Sequence, residues 1–252
     1  MKSELLVGNC MELITRQEPG TFHCVVTDPA YWTLNKWREV GTTTRLGGHH
    51  DATQRDDTRW FKTIDSDDLW SLMIEIQLRL PKDAHCWLMC DFETLKYVQG
   101  YADEAGYNYC KPFPCVKMTQ DGNGIRQGMG YHGRASHEYV VLLEKGRRRF
   151  TDENWPDVFM FPWTGDRETR PFTEDGKPYP TAKPVALMRR LIQLSTEPGE
   201  VVLDPFLGSG TTAVAAQDLQ RGFIGWDTNP AAIEITQRRL TAVTAQPALE
   251  IA

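Results

Sequence analysis

A glycine-rich turn and an acidic residue in the C-terminal part of the chain have the spacing of a site that binds a nucleoside. Gly208 and Gly210 follow a short apolar run and precede a helical pattern, so a ligand can approach the backbone at a helix N-terminus. Asp227 ends the next apolar run, where a carboxylate can accept the hydroxyl protons of a ribose. The combination predicts a nucleoside-binding crevice, whereas a glycine-rich turn alone is more often structural.

The same glycine spacing occurs in dinucleotide-binding domains, and two features argue against that alternative. About 25 residues follow Asp227, too few for the further strands that a dinucleotide site requires. Asp204 ends the strand before the glycines, where a carboxylate would repel a pyrophosphate but would pair with an ammonium group. These residues therefore favour a nucleoside with an amino group, such as S-adenosylmethionine.

A second acidic turn, Asp28-Pro29-Ala30-Tyr31, follows a buried apolar run. The carboxyl ends of strands face the ligand crevice in an α/β sheet, so Asp28 and Tyr31 should point towards the same site as Asp204. The Asp28 carboxylate and the Pro29 carbonyl are suited to hold both N–H groups of an adenine amine and to favour a pyramidal nitrogen. Tyr31 offers a ring face for a base extruded from a duplex. The alternative is an ordinary strand-ending turn.

The elements that must position these residues alternate between short apolar runs and helical periodicity, which predicts an α/β fold. Two adjacent runs without an intervening helix, at 113–117 and 139–143, predict an antiparallel pair at the sheet edge. The other predicted strands lie at 5–7, 25–27, 86–90, 201–203 and 222–226. The predicted helices lie at 67–80, 92–105, 211–220 and 230–240, with one more that follows Lys183-Pro184 and ends near Pro198-Gly199.

Two segments lack periodicity. Residues 146–180 contain five prolines among aromatic residues and predict a small, irregular inserted lobe for target recognition. Residues 33–64 are rich in Thr, Gly, Arg and Asp and predict a long functional loop. The expected organisation is a catalytic half at 1–145, the lobe at 146–180, a cofactor-binding half at 181–243 and a tail at 244–252.

The net charge of −6 gives no general basic surface, so contact with a polyanion must come from local patches. The longest basic run, at residues 145–149, is of a length that is more often a solvated turn. The candidates are Lys145, Arg147, Arg148 and Arg149 for phosphates, and Arg45, Arg55 and Arg167 for base edges.

No apolar run approaches the roughly 18 residues of a membrane span, and the N-terminus lacks the pattern of a signal peptide. The six cysteines are scattered without zinc-site spacing and are expected to be reduced, mostly buried thiols. These features predict a cytoplasmic protein without a bound metal.

These motifs resemble those of the β group of S-adenosylmethionine-dependent DNA amino-methyltransferases, in which the catalytic motif precedes the cofactor motif. Residues 28–31 resemble the family's catalytic Asp-Pro-Pro-Tyr, and residues 204–212 resemble its cofactor loop. Residues 181–184 resemble the segment before the cofactor strand, and residues 137–139 resemble a family segment expected to be mainly structural. The resemblance covers nearly the whole chain and implies a Rossmann-like methyltransferase fold with circularly permuted motifs, built on a mixed sheet with helices on both faces.

The resemblance also assigns roles to individual residues. Three departures from the family pattern are Ala30 for the second proline, Asn9 where many relatives have Asp, and Ile233 where a tyrosine is frequent. The implied catalytic residues are Asp28, Pro29 and Tyr31, and the implied cofactor-binding residues are Asn9, Thr181, Lys183, Asp204, Phe206, Gly208, Ser209, Gly210, Thr211 and Asp227.

The implied activity is site-specific methyl transfer from S-adenosylmethionine to the N6 amine of adenine in double-stranded DNA, as in restriction-modification, by a nucleoid-associated enzyme. Asp28 favours adenine because relatives that modify cytosine N4 usually carry Ser there, and cytosine N4 is the closest alternative. A non-catalytic module that binds the cofactor and DNA is another. Because residues 146–180 are few, the loop at 33–64 or a second subunit in a homodimer is expected to share the reading of DNA.

Overall fold

The computed structural model of the chain describes residues 2–33, 63–128, 134–163, 171–173, 176, 179 and 182–245. The described strands are β1 (Ser3–Val7), β2 (Cys24–Thr27), β3 (Ala84–Cys90), β4 (Tyr109–Met118), β5 (His137–Lys145), β6 (Phe159–Pro162), β7 (Val201–Asp204) and β8 (Gly222–Asp227). The described helices are α1 (Cys10–Thr15), α2 (Ser66–Arg79), α3 (Phe92–Glu104), α4 (Val185–Ser195), α5 (Thr211–Asp218) and α6 (Pro230–Ala245).

The described strands form one mixed sheet of eight strands in the order β1-β8-β7-β2-β3-β5-β4-β6. The strands from β1 to β3 in this order are parallel, whereas β5 is antiparallel to both β3 and β4. Every residue of β2, β3 and β7 is buried, as expected for strands that helices cover on both faces. The predicted α/β fold and the antiparallel pairing are confirmed, but the pair is not at the sheet edge as expected, because β6 lies outside β4.

The strand order reverses between β7 and β2. From β2 the chain passes through α2 to β3 on one side, and from β7 it passes through α5 to β8 on the other side. In open α/β sheets the crevice at such a reversal, beyond the carboxyl ends of the strands, is where ligands bind. Asp204 ends β7 and Asp28 directly follows β2, so the fold places both carboxylates at this crevice.

Two apolar layers hold the helices against the sheet. Helix α2 begins where Asp65 accepts a hydrogen bond from Asp68 N at 2.8 Å, and α3 begins where Asp91 accepts one from Thr94 N at 2.7 Å. Residues three and four apart then share the buried face of each helix. Leu69, Leu72, Met73 and Ile76 of α2 are buried in one layer, and Leu187, Met188, Leu191 and Ile192 of α4 are buried in the other.

Two elements differ from the sequence prediction. Helix α1 was not predicted, because its six residues are too few to show a helical period. Strand β6 lies inside the range predicted to be an irregular lobe, yet it pairs in parallel with β4, with Phe159 opposite Cys115. Phe159 is fully buried, so residues 159–162 belong to the main sheet. The division of the chain at 146 and 180 stays a prediction.

The six cysteines are free thiols, and all except Cys110 are buried. Burial raises the pKa of each, to about 11 for Cys10 and about 12 for Cys86. The prediction that the thiols are mostly buried is confirmed. Within the described residues, no helix combines the length and the apolar character needed to cross a membrane.

Candidate active site

A cavity opens at the carboxyl ends of the central strands. Its wall includes Asp28 after β2, Asp204 at the end of β7 and Asp227 at the end of β8. Glu138 near the start of β5, Lys183 just before α4, and the carboxylates of Asp68 and Asp91 also line the cavity. The structure therefore brings both predicted acidic turns into one pocket and adds Glu138, which the sequence placed among structural residues.

Asp204 is a nearly buried carboxylate on the floor of the pocket. Its Oδ1 accepts hydrogen bonds from Thr27 Oγ1 at 2.9 Å and from the Phe206 amide at 3.1 Å. Burial raises the pKa of Asp204 to about 6, although these hydrogen bonds favour the charged form. A cation that enters the pocket would stabilise the carboxylate, so the site suits an ammonium group.

The glycine-rich turn follows Asp204 and leads into α5. Gly208 and Gly210 have φ angles of 54° and 77°, in the left-handed region that glycine adopts without strain. A Cβ atom at Gly210 would lie 2.3 Å from Thr236 Oγ1. Glycine is therefore required at 210 both by the backbone conformation and by the close approach of α6.

Asp227 faces this turn from the end of β8. Its Oδ2 accepts a hydrogen bond from the Gly208 amide at 2.9 Å, and its Oδ1 accepts one from the Asn229 amide at 2.8 Å. Burial raises the pKa of Asp227 despite these bonds. The carboxylate thus holds the glycine turn, and each oxygen has a further lone pair for a ligand hydroxyl.

The other predicted cofactor residues surround the same turn. Asn9 lines the pocket and caps α1 by accepting a hydrogen bond from Met11 N at 2.8 Å. Ser209 and Thr211 place their hydroxyl oxygens 3.3 Å apart. Thr181 lies outside the described residues. Phe206, Gly208, Ser209 and Thr211 all line the pocket.

The acidic turn at 28–31 is held from both sides. Ile64 N donates to Ala30 O at 2.8 Å and Ile64 O accepts from Trp32 N at 3.1 Å, which ties the return of the long loop to the turn. Tyr31 is 3% exposed, and its hydroxyl has no hydrogen-bond partner among the described residues. Residues 34–62 of the loop, with Arg45 and Arg55, lie outside the described residues.

Lys183 was expected near the cofactor, and the structure pairs it with Asp28 instead. Lys183 Nζ donates to Asp28 Oδ2 and lies 3.6 Å from Glu138 Oε2. Glu138 Oε1 in turn accepts from Lys117 Nζ at 2.5 Å. Cross-strand pairing of β4 with β5 brings Lys117 and Glu138 together, and a lysine and a glutamate near facing ends of adjacent strands were the available sequence signal.

The basic run after β5 requires a correction. Lys145 Nζ donates to the carbonyls of Gln77 and Leu80 at 2.6 and 2.7 Å, and so caps the end of α2. The Arg148 guanidinium forms a two-pronged ion pair with Glu200. Both side chains thus have structural partners, contrary to the expectation that they contact phosphates.

The position of the run also argues against that role. Lys145 pairs with Ala84 at the start of β3, so the run lies at the amino edge of the parallel strands, opposite the pocket. Arg147 and Arg149 are exposed at that edge, and Arg149 lies 3.7 Å from Glu153. Arg167 lies outside the described residues.

Solved structures of similar shape are DNA methyltransferases. The M1.HpyAVI–SAM complex superposes with a TM-score of 0.63 at 18% identity, covering 94% of this chain and 98% of that one. The PvuII DNA methyltransferase, described as cytosine-N4-specific, superposes with a TM-score of 0.67 at 14% identity, covering 95% and 86%. At these identities the likeness shows a shared fold.

Proteins of similar sequence assign the chain to a family. The Type II methyltransferase M2.DpnII of Streptococcus pneumoniae is 45% identical over 257 residues, covering 96% of this chain and 90% of that protein. The Type II methyltransferase M.SmaI of Serratia marcescens is 25% identical, covering 94% and 90%. Residues 22–238 match the N6/N4 methyltransferase family, which is described as DNA methylase. The chain therefore belongs to this family of DNA methyltransferases.

Proposed function

We propose that this chain transfers a methyl group from S-adenosylmethionine to the N6 amine of adenine at a specific site in double-stranded DNA. The observation that carries the proposal is the meeting of Asp28 and Asp204 in one pocket, at the ends of the two strands that flank the sheet reversal. One carboxylate is suited to the target amine and the other to the ammonium group of the methyl donor.

The pocket residues fit this donor. Asp204 is a buried carboxylate with a pKa of about 6, so it gains from a cationic partner. The left-handed glycines open the backbone at the start of α5, and Asp227 faces this turn with lone pairs left for ribose hydroxyls. Asn9 and Phe206 extend the wall beside them.

S-adenosylmethionine supplies a methyl group on a sulfonium, which makes the methyl carbon an electrophile. Asp28 and the Pro29 carbonyl accept hydrogen bonds from the two N–H groups of the target amine, which localises the nitrogen lone pair towards that carbon. Attack on that carbon would displace the donor as its neutral thioether, S-adenosylhomocysteine, and the proton that the methylated amine must lose would pass to the Asp28 carboxylate, which already accepts a hydrogen bond from it. Holding the amine in line provides most of the acceleration.

Adenine N6 is proposed over cytosine N4 because, in the family that this chain resembles, enzymes that methylate cytosine N4 usually carry Ser at the position of Asp28. Cytosine N4 is the second candidate, because the cytosine-N4-specific PvuII enzyme has a similar fold. The Type II names of the sequence relatives favour a methyl mark at a defined sequence.

Base analysis tests this proposal directly. The chain is expressed in a host whose DNA lacks both modified bases, and the nucleosides of digested DNA are separated and identified by mass. We expect N6-methyladenine, and Asp28→Ala should abolish it while S-adenosylmethionine still binds in calorimetry. N4-methylcytosine would overturn the assignment of adenine, and no modified base from a cofactor-bound protein would favour the non-catalytic module.

A further inference from the structure

Four charged side chains form a continuous row that starts on the pocket wall with three of its members and ends behind the wall at Lys117. The order is Asp28, Lys183, Glu138 and Lys117, in which each member contacts the next. Lys183 and Lys117 are only 11% and 15% exposed, so neither charge is well solvated. Two acids alternate with two bases, and the row is neutral when all four are ionised.

The row leaves one oxygen of Asp28 for a substrate. Lys183 binds Oδ2, and within the described residues it is the only side chain that hydrogen-bonds this carboxylate. Oδ1 therefore faces no competing donor in the described part of the pocket. Glu138 holds Lys183 from its other side at 3.6 Å, which restricts the directions in which the ammonium can point.

We propose that Lys183 is a positioning residue for the catalytic carboxylate, which orients Asp28 through Oδ2 so that Oδ1 meets the target amine. Glu138 and Lys117 fix Lys183 in this place. The proposal rests on the assignment of Asp28 to the target amine, and it moves Lys183 from the cofactor to the substrate side of the pocket.

Charge balance supports the same role. Burial raises the pKa of Asp28, and Lys183 opposes this effect whereas Glu138 adds to it. Burial would lower the pKa of Lys183, but the charges of Asp28 and Glu138 outweigh burial and raise it. The groups that face Asp28 are Lys183, Glu138 on β5, Lys117 on β4, Asp204 on β7, Cys90 on β3 and the Tyr31 hydroxyl.

The test measures kcat against pH at saturating DNA and S-adenosylmethionine, because this profile reports ionisation in the bound complex. The acidic limb, where kcat falls as the pH drops, is the part that protonation of Asp28 would set. Lys183→Met removes the opposing charge and should move the limb to higher pH by about one unit or more. Glu138→Gln removes a like charge and should move it to lower pH. Lys183→Arg should restore the position of the limb, and Lys111→Met, in an exposed pair with Asp157, should leave it unchanged.

Cofactor affinity separates this proposal from a cofactor role. Calorimetry of S-adenosylhomocysteine should give a dissociation constant for Lys183→Met within about threefold of the native value, because a residue on the substrate side does not contact the cofactor. Loss of a direct cofactor contact worth about 1.4 kcal/mol would instead weaken binding about tenfold. An unshifted limb in Lys183→Met, or a large loss of cofactor affinity, would overturn the positioning role. Neither result bears on which base is methylated, because base analysis decides that separately.

A second observation concerns the connection between β4 and β5, residues 119–136, which is called the β4–β5 extension below. Arg126 N donates to Lys117 O at 2.7 Å, and Lys117 N donates to Ser136 O at 2.8 Å. Residues 126 and 136 therefore both lie beside the end of β4, next to the lysine that reaches Glu138 in the pocket. Strand β4 runs parallel to β3 because both are antiparallel to β5, so this extension stands at the carboxyl edge of the sheet.

Two arginines of the extension are free to act at this edge. Arg126 and Arg134 are exposed, and neither guanidinium has a hydrogen bond or an ion pair within the described part of the chain. Lys117 beside them is already paired with Glu138. In an acidic protein, unpaired cations next to the pocket are the charges available to a polyanion.

We infer that Arg126 and Arg134 contact DNA phosphates beside the pocket. The test measures the affinity for a duplex, in the presence of S-adenosylhomocysteine, against salt concentration. Arg126→Ala with Arg134→Ala should flatten the slope of log K against log salt by roughly 1.8, or about 0.9 for each lost contact. Arg147→Ala with Arg149→Ala, at the opposite edge, is the matched control and should leave the slope unchanged.

Either of two outcomes would overturn this inference. The slope could stay the same in the Arg126/Arg134 variant. It could also change only in the Arg147/Arg149 variant, which would show that DNA binds at the amino edge of the sheet. Equal thermal midpoints for the two double variants show that both remain folded. The identity of the methylated base is unaffected by either outcome.

Discussion

At the scale of single residues, the pocket holds partly or fully buried acids whose charges need partners. Asp28 has Lys183, Asp227 has two backbone amides, and Asp204 has the hydroxyls of Thr27 and Thr212 and one amide. Of these three carboxylates, only Asp204 has neither a cationic side chain nor two backbone N–H groups as hydrogen-bond donors among the described residues. It is therefore the acid that a cationic ligand would stabilise most.

This difference predicts a pH dependence of cofactor binding. The pKa of free Asp204 is about 6, and the ammonium of S-adenosylmethionine favours the charged form, so the bound pKa must be lower. Affinity should be constant above about pH 7 and should fall as the pH drops through 6, approaching tenfold per unit. Calorimetry between pH 5 and 8 measures it. Asp204→Asn should bind weakly with a flatter profile, and an equally steep profile in that variant would assign the titration to another acid.

The predictable part of the site follows from where motifs stand on strands. Asp28, Asp204 and Asp227 each follow or end an apolar run, and the carboxyl ends of parallel strands share one edge, so their meeting could be foreseen. The contact of Glu138 with Lys117 could have been inferred from the predicted antiparallel pair, but nothing in the sequence indicated that Glu138 lines the pocket. The contact of Lys183 with Asp28 spans 155 residues and carries no local signal.

At the scale of elements, the glycine turn joins β7 to α5 through a conformation that only glycine adopts without strain. Gly210 combines a φ of 77° with the close approach of Thr236. Gly199 has a φ of 90° at the turn before β7, with nothing within 4 Å of its missing Cβ. The two glycines therefore separate backbone strain from steric overlap.

Substitution by alanine should distinguish these two effects. Gly199→Ala should cost about 1 to 2 kcal/mol of unfolding free energy from the left-handed conformation alone. Gly210→Ala should cost a further 1 to 3 kcal/mol because its Cβ overlaps Thr236, and it should also weaken binding of S-adenosylmethionine. Urea unfolding measures the first quantity and calorimetry the second. Equal losses of stability would show that α6 moves aside easily.

The long helices were predictable from their periods, whereas two short elements, α1 and β6, were missed. Helices α2, α3 and α4 have 11 to 14 residues and therefore show full helical periods. Strand β6 has four residues, ends at Pro162 and alternates buried with exposed positions. So short a run among prolines resembles a loop, and only pairing with β4 makes it a strand.

At the scale of the whole molecule, the sheet extends beyond the antiparallel pair to β6, which lies within the range 146–180 that was predicted to form a separate lobe. The ring of Phe159 lies 6.1 Å from Trp87 and 5.5 Å from Phe113. Trp87 belongs to β3 and is fully buried. The edge strand is therefore part of the same core that supports the pocket.

Truncation of the edge strand should consequently destabilise the entire fold. Phe159→Ala should lower the unfolding free energy by about 3 to 5 kcal/mol, as for other fully buried aromatic side chains. Met160→Ala is the control, because Met160 is 52% exposed and should change stability by about 0.5 kcal/mol or less. Denaturant unfolding in a single transition would support one cooperative unit. A separate early transition would instead restore the picture of an independent lobe.

The buried hydroxyl of Tyr31 implies a trade-off between stability and activity. A phenol oxygen without a partner loses its hydration on folding, at a cost of about 1 to 3 kcal/mol. Phenylalanine would avoid this cost in the same volume, so Tyr31→Phe should raise the melting temperature of the free protein. If the target base supplies the missing partner, the same variant should turn over more slowly. A more stable variant with unchanged turnover would show that substrate makes no use of the hydroxyl.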